Sequence, residues 1–230
     1  MMLRIEDLEI PVRHSARRKT LELTVERDGS LLMTVPSGVM LDVMERFARN
    51  KLPWIYKKLA EKALMTKAIQ HKRFVQGEGF LYLGRHYRLN LVEAQETPLR
   101  WINGRFHLRQ DALHEARKLF IHWYSERGKN WLWLRAQEFA KRIDVMPQGI
   151  KVQDLGFRWG SCGKGDQLYF HWKTILLPAR IAEYVVVHEL VHLHEPNHSA
   201  EFWRRLERAM PDYEERKLWL AEHGMDVEGL

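Results

Sequence analysis

The sequence predicts an α+β fold, because strand patterns dominate its first half and helix patterns dominate its second half. In the first half, short segments alternate apolar and polar residues and end at turn-forming residues. In the second half, apolar residues recur every three or four positions over longer segments. The chain has 230 residues, 45% of them hydrophobic, which is enough to build the core of one large domain or two small ones. We expect a mostly β region over residues 1–110 and a helical region over residues 111–230.

The first 36 residues are expected to form strands. Leu21, Leu23 and Val25 alternate with polar residues, and LLMTVP follows a predicted turn at Asp28-Gly29. This pattern is typical of a β-hairpin.

A helical pattern follows from residue 39 to about residue 65, where Pro53 is a predicted point of break or restart. Strand patterns return over residues 74–109, and Asn103-Gly104 is a strong signal for a two-residue hairpin turn.

The second half begins with a long helix that is expected to start at Asp111, as its N-cap, and to end near Arg142. Two strands are predicted next, at residues 150–159 and 168–177, with a glycine-rich loop between them. Three more helices are then expected, over residues 178–194, 199–210 and 212–223.

Composition limits the classes of function. The net charge of +7 favours loose association with nucleic acid through the basic surface, but the sequence has no zinc finger, RNA-binding sheet signature or long basic arm. The single cysteine, Cys162, excludes an intramolecular disulfide and any CxxC metal site. No apolar run is long enough for a membrane helix and the N-terminus does not resemble a signal peptide, so we expect a cytoplasmic protein without membrane contact.

The stretch HELVHLHEPNHSAEFW, residues 188–203, has the pattern of a metal site. His188 and His192 are four residues apart in an HExxH motif, so on a helix both imidazoles project from one face and can share an ion. Glu189 follows the first histidine, where its carboxylate can reach a metal-bound water as a general base. The surrounding AEYVVVHELVHL is almost entirely apolar, and buried polar groups of this kind need partners.

A hydrolytic zinc site requires a third protein ligand and an open position for water. His198 is favoured as that ligand, because a turn at Pro196-Asn197 can return it towards the ion. Glu201 is the alternative, since many zinc sites of this kind use a downstream glutamate. His194 would point away from His192 on a helix, so we do not expect it to be a ligand.

The chain resembles the YgjP-like family of zinc metallopeptidases, which is related to the WLM and SprT-like proteases. The resemblance rests on RHSARRKTLELTV, the Val-Pro pair at 35–36, LPWIYKK, FVQGEGFLYLG, RWGSC and YVVVHELVHLHEPNHSAEFW. It implies that zinc is bound by His188, His192 and His198 and that Glu189 is catalytic. One departure is His171, because an asparagine is expected before Trp172, and this puts a role for position 171 in doubt.

Together these features predict a zincin-like metallohydrolase, and above all a metallopeptidase acting on a peptide or protein. Zn²⁺ would activate a water, and Glu189 would take its proton and later pass it to the leaving amine. Two alternatives stay open: hydrolysis of phosphoanhydride bonds in nucleotides, and a zinc-stabilised module that binds nucleic acid or protein without catalysis.

The RWGSC segment is expected to form a sheet edge beside the metal helix, where an extended peptide can add a strand. Arg158 and Trp159 are candidate substrate-binding residues in this segment, and a buried tryptophan and a structural arginine are the alternatives. For stabilising the oxyanion, Tyr213 and Arg158 are suggested.

Overall fold

The computed structural model describes residues 1–26, 29–65 and 70–230, without the side chains of residues 60–65. The chain divides into two compact units, residues 1–68 and 69–230. The expected α+β class is confirmed, with most strands in the first half and most helices in the second. The boundary expected at residues 110 and 111 falls inside the second unit, so the division into a β region and a catalytic region stays a prediction.

The first unit combines a four-stranded sheet with one long helix. The strands are β1 (Met2–Ile5), β2 (Leu8–Ser15), β3 (Glu22–Val25) and β4 (Leu31–Pro36), in the order β1-β2-β4-β3. The expected hairpin is confirmed, since β3 and β4 pair antiparallel with Val25 opposite Leu31. Asp28 of the predicted turn lies outside the described residues.

The helix of the first unit, α1 (Leu41–Met65), covers one face of this sheet. Alternate residues of β2 and β4 are buried, as a sheet with one covered face requires. Pro53 lies inside α1 and does not break it, because buried contacts at Ala48 and Ile55 hold the helix on both sides of the proline.

The second unit begins with another four-stranded sheet. Its strands are β5 (Gly79–Tyr82), β6 (Arg85–Val92), β7 (Leu99–Ile102) and β8 (Arg105–Arg109), in the order β5-β6-β8-β7. The hairpin predicted at Asn103-Gly104 is confirmed, because β7 pairs antiparallel with β8 and both turn residues have positive φ, 49° and 73°.

The long helix α2 (Ala116–Ile143) starts later than the sequence suggested. Asp111 lies in a preceding 3₁₀ segment (Gln110–Glu115), where its carboxylate pairs with Arg109 instead of capping the helix. The N-cap of α2 is Glu115, whose side chain makes no capping hydrogen bond, so the prediction of an Asp111 cap was wrong.

A three-stranded sheet carries the segments around RWGSC. Its strands are β9 (Gly149–Gln153), β10 (Gly160–Cys162) and β11 (Gln167–His171), in the order β10-β11-β9. The first predicted strand ends early at Gln153, and Gly160–Cys162 of the expected loop forms β10 because it pairs with β11. The second predicted strand also ends early: the His171 ring accepts a hydrogen bond from the Lys173 amide, and a 3₁₀ turn (Trp172–Leu176) begins.

Three helices complete the second unit: α3 (Ala179–Val191), α4 (Ala200–Ala209) and α5 (Tyr213–His223), before a 3₁₀ turn (Gly224–Val227). Helix α3 begins directly after Pro178, as predicted, but ends at Val191 with His192 as its C-cap. It is buried along most of its length and packs against α2, α4 and α5. In the described part of the chain, no helix has the length and apolar character needed to cross a bilayer.

Candidate active site

The end of α3 presents two imidazoles on one face. His188 lies in the last turn of the helix and His192 is its C-cap, and their ring centroids are 5.0 Å apart. The Nδ1 atom of His192 lies 2.9 Å from the carbonyl oxygen of Glu195. If Nδ1–H donates this hydrogen bond, the Nε2 lone pair is left for a ligand, which is a common way to orient a metal-binding histidine.

The chain returns His198 to the same point. After α3 the backbone turns through Pro196 and Asn197, and the Ser199 side chain caps α4 by accepting a hydrogen bond from the Phe202 amide. His198 therefore stands just before α4, and its Nε2 lies 3.0 Å from Nε2 of His188.

These three histidines form a compact donor cluster. One ring nitrogen from each residue lies within 4.8 Å of the others. In a tetrahedral zinc site with bonds of about 2.0–2.1 Å, ligand nitrogens are roughly 3.4 Å apart, which is close to the contact between His188 and His198. Burial, reinforced by the other histidines and Lys217, lowers the pKa of His188 to about 3, so its ring is neutral as a metal ligand must be. The donor set fits a divalent ion that prefers nitrogen ligands.

A carboxylate lies beside this cluster. Glu189 is 6% exposed and accepts a hydrogen bond from the backbone amide of Cys162 in β10. Burial raises the pKa of Glu189 to about 8, while the charge of Arg158 and the Cys162 amide act in the opposite direction. On balance the pKa of this carboxyl group is raised, because burial outweighs the two opposing interactions.

The strand β10 forms the opposite wall. It is an edge strand, paired on one side only with β11. The backbone amide of His171 donates to the Trp159 carbonyl, and the amide of Gly163 donates to the Gln167 carbonyl. Because hydrogen-bonded pairs alternate along an antiparallel ladder, Ser161 is the residue of β10 whose backbone groups bond to β11. Gly160 and Cys162 direct their backbone groups away from the sheet, and the Cys162 amide reaches Glu189.

A cleft of about 850 Å³ lies between these elements. It is lined by Arg158 and Trp159, by the three histidines and Glu189, and by apolar residues of α3 and α5. Arg158 is exposed. The indole of Trp159 packs against Gly224, since a Cβ atom added to this glycine would lie 3.1 Å from the indole ring. Both predicted substrate-binding residues therefore reach the cleft, and Trp159 also has a packing role.

The structure adds a residue that the sequence did not single out. Tyr184 lies one helical turn before His188, lines the cleft and is 6% exposed. Burial, with smaller contributions from Glu189 and Tyr213, raises its pKa to about 12. Within an apolar helix pattern a tyrosine looks like an ordinary core residue, and only the i, i+4 spacing to His188 could have indicated its position.

Aromatic packing surrounds the third histidine. The Trp203 ring stacks on His198 with centroids 5.6 Å apart and an angle of 24° between the planes. The ammonium group of Lys217 lies 4.2 Å from the centre of the Trp203 ring. Phe202 is fully buried against the rings of His188, His192 and His198. Both aromatic residues therefore pack against His198.

The remaining candidates lie outside the cluster. The ring of His194 contacts the Ile143 carbonyl oxygen at 3.1 Å. Glu201, the rival ligand, pairs with Arg204 at 2.8 Å and with Arg205 at 3.2 Å. His171 is buried and lies 3.4 Å from Asp154 behind the RWGSC segment, which is a structural position.

The chain is similar to known proteins over different lengths. A family model described as YgjP-like, metallopeptidase domain, matches residues 19–223. A search of solved structures finds the metallopeptidase zymogen of Pyrococcus abyssi abylysin, at 18% identity and a TM-score of 0.36. That similarity covers 38% of this chain and 91% of the other chain. A search of curated proteins gives no match.

Proposed function

We propose that this chain, which belongs to the YgjP-like metallopeptidase family, cleaves peptide bonds with a zinc ion held by His188, His192 and His198 and with Glu189 as the general base. The family match supports a metallopeptidase. The identity of the metal, its ligands and the role of Glu189 are our additions, and they are argued from the geometry of the cleft.

The observation that carries the proposal is the convergence of two kinds of group in one cleft. Three imidazole nitrogen atoms lie within 4.8 Å of one another, and a buried carboxylate is adjacent to one of them along the helix. Three imidazoles leave one position of a tetrahedral site open, as hydrolytic zinc sites require. When bound, the ion would supply a water of lowered pKa and would polarise the substrate carbonyl.

Glu189 carries the proton in this mechanism. Its carboxylate takes a proton from the attacking water and then passes it to the nitrogen of the leaving amine. The Cys162 amide and the charge of Arg158 favour the ionised form of Glu189 and oppose the effect of burial. The water oxygen forms a bond to the carbonyl carbon, and the C–N bond breaks.

The free edge of β10 is the proposed substrate platform. Gly160 and Cys162 direct backbone groups to the cleft side, and those other than the Cys162 amide, which Glu189 already binds, can pair with an extended peptide. Arg158 and Trp159 flank that edge and are the proposed side-chain contacts.

A cytoplasmic location stays a prediction. Loose association with nucleic acid through basic surface residues also stays a prediction, based on the net charge of +7 of the chain. Neither is needed for the chemistry above.

The test offers zinc-loaded full-length protein a library of peptides, an unfolded protein and nucleoside triphosphates, and identifies the products by mass spectrometry. The proposal expects new peptide termini that disappear when a chelator removes the metal and return when zinc is added back. Release of phosphate without peptide cleavage would favour the phosphoanhydride alternative. Stable zinc binding without any hydrolysis would favour a non-catalytic module.

A further inference from the structure

We propose that Tyr184 is a further catalytic residue, whose hydroxyl donates a hydrogen bond to the oxyanion of the tetrahedral intermediate. This inference rests on the peptidase function proposed above and names a group that acts on the same substrate.

The position of Tyr184 on α3 places it beside the reacting groups. It is four residues before His188 and eight before His192, so all three side chains project from one face of the helix. The ring centroids of Tyr184 and His188 are 5.9 Å apart, with the rings edge to face. Tyr184 lines the same cleft as His188 and Glu189.

The hydroxyl of Tyr184 lacks a partner in the part of the chain that the structure describes. The residue is 6% exposed, and its hydroxyl makes no hydrogen bond to another described residue. The hydroxyl oxygen is not itself a fully buried unpaired atom, because the residue lines the cleft. Its hydrogen-bonding capacity is therefore open to a group in the cleft, and an oxygen atom of the bound substrate can accept its hydrogen bond.

The chemistry of a phenol suits a donor at this point. With an ordinary pKa of about 10 it is protonated near neutral pH, so it can donate to an oxyanion. It transfers no proton: the water gives its proton to Glu189, the carbonyl carbon gains the water oxygen, and the breaking C–N bond receives the proton at nitrogen. The hydrogen bond strengthens as charge develops on the carbonyl oxygen, which lowers the barrier.

The two donors suggested by the sequence are less well placed. Tyr213 lies outside the cleft lining, stacks on Trp203, and its hydroxyl bonds to Glu214 at 3.2 Å. Arg158 is exposed on the β10 side of the cleft, where its charge acts on Glu189. Tyr184 combines burial, an open hydroxyl and a place beside a proposed metal ligand.

The experiment compares zinc-loaded wild-type protein with Tyr184→Phe, which removes only the hydroxyl. Tyr124→Phe is the matched control, because Tyr124 is a buried tyrosine of α2 outside the cleft. For each protein, zinc content, kcat and KM are measured on the library peptide that wild type cleaves. The affinity for a phosphinic peptide of the same sequence, which copies the tetrahedral centre, is measured by calorimetry.

The proposal expects Tyr184→Phe to keep its zinc and its KM, to lose about 10²–10³ in kcat, and to bind the phosphinic peptide more weakly by a large factor. Tyr124→Phe should match wild type in all four measurements. A Tyr184→Phe variant whose kcat and phosphinic peptide affinity stay within about threefold of wild type overturns the assignment, while the peptidase proposal stands. A wild-type protein that cleaves no peptide overturns both, so the two failures are distinguishable.

Discussion

The backbone of Gly160 lies directly against the carboxylate of Glu189. A Cβ atom added at Gly160 would lie 2.7 Å from both Cγ and Oε1 of Glu189, a distance that side chains do not tolerate. The glycine of RWGSC therefore lets β10 approach the base closely enough for the Cys162 amide to hydrogen-bond its carboxylate. Strand and helix together fix the orientation of Glu189.

This contact predicts that Gly160→Ala abolishes most of the activity without removing the metal. The added methyl group must displace the Glu189 carboxylate, and a shift of about 1 Å at a catalytic group can cost roughly 10²-fold in rate. The histidine cluster contacts other elements, so zinc content should equal that of wild type. Rates per bound zinc and metal analysis check both expectations.

The control for this variant is Gly79→Ala, at a strand glycine outside the cleft. There an added Cβ would lie 3.3 Å from the side chain of His86, which can move. Equal losses of activity in the two variants would mean that strand distortion, and not contact with Glu189, explains the effect.

Trp203 is predicted to hold the third histidine in place. Trp203→Leu removes the ring that stacks on His198 at 5.6 Å, so His198 gains freedom that metal binding must then restrict. We expect zinc affinity to fall about 10–100-fold, the usual effect of losing a group that orients a ligand. Competition with a chelating dye measures it.

A matched substitution is available on α5, where Trp219 stacks on His223 at 4.8 Å outside the histidine cluster. Trp219→Leu removes an equivalent histidine–tryptophan stack and should leave zinc affinity unchanged. If both variants lose affinity alike, general destabilisation is the cause and Trp203 has no specific role.

The ligand set predicts a clear difference between His198 and Glu201. His198→Ala should lower zinc affinity by several orders of magnitude, because only two nitrogen donors stay in the cluster. Glu201→Gln should have little effect, since the carboxylate is paired with Arg204 and Arg205. Competition with the chelating dye measures the zinc affinity of both variants. If Glu201→Gln loses much more affinity than His198→Ala, Glu201 is the third ligand.

Burial of Glu189 predicts how the stability of the metal-free protein depends on pH. The folded state raises its pKa from 4.5 to about 8, so the folded state holds the proton more tightly than the unfolded state. The free energy of unfolding contributed by this group is therefore highest below pH 4.5 and is lost as the pH rises through about 8. This shift corresponds to roughly 5 kcal/mol.

Glu189→Gln removes this penalty while keeping the shape of the side chain. Relative to wild type, the metal-free variant should be more stable at pH 9 and equally stable at pH 4, as measured by urea unfolding. A stability difference that does not change with pH would show that Glu189 keeps an ordinary pKa in the folded protein.

Local patterns in the sequence were sufficient for much of the fold. The Asn103-Gly104 turn and the start of α3 after Pro178 depend on the conformations of a few adjacent residues. Asp111 shows the limit of that reasoning, because its carboxylate pairs with Arg109 and the chain forms a 3₁₀ turn before α2. Capping preference was outweighed by a competing local contact.

The candidate site shows the same limit. The HExxH spacing placed His188 and His192 on one helical face, because helix geometry alone determines it. The contact between Gly160 and Glu189 joins segments that are distant in sequence, and Tyr184 looks like a core residue until the cleft is seen. Such contacts arise from packing between elements, which periodicity does not encode.

The central claim is that Glu189 is the general base beside a bound zinc ion, and its most direct test is kcat per bound zinc for wild type and Glu189→Gln. We predict equal zinc content and a fall in kcat of at least about 10²-fold in the variant, because proton transfer by a positioned base contributes roughly 10²–10⁴. A variant that binds zinc normally and retains the wild-type kcat would contradict the account.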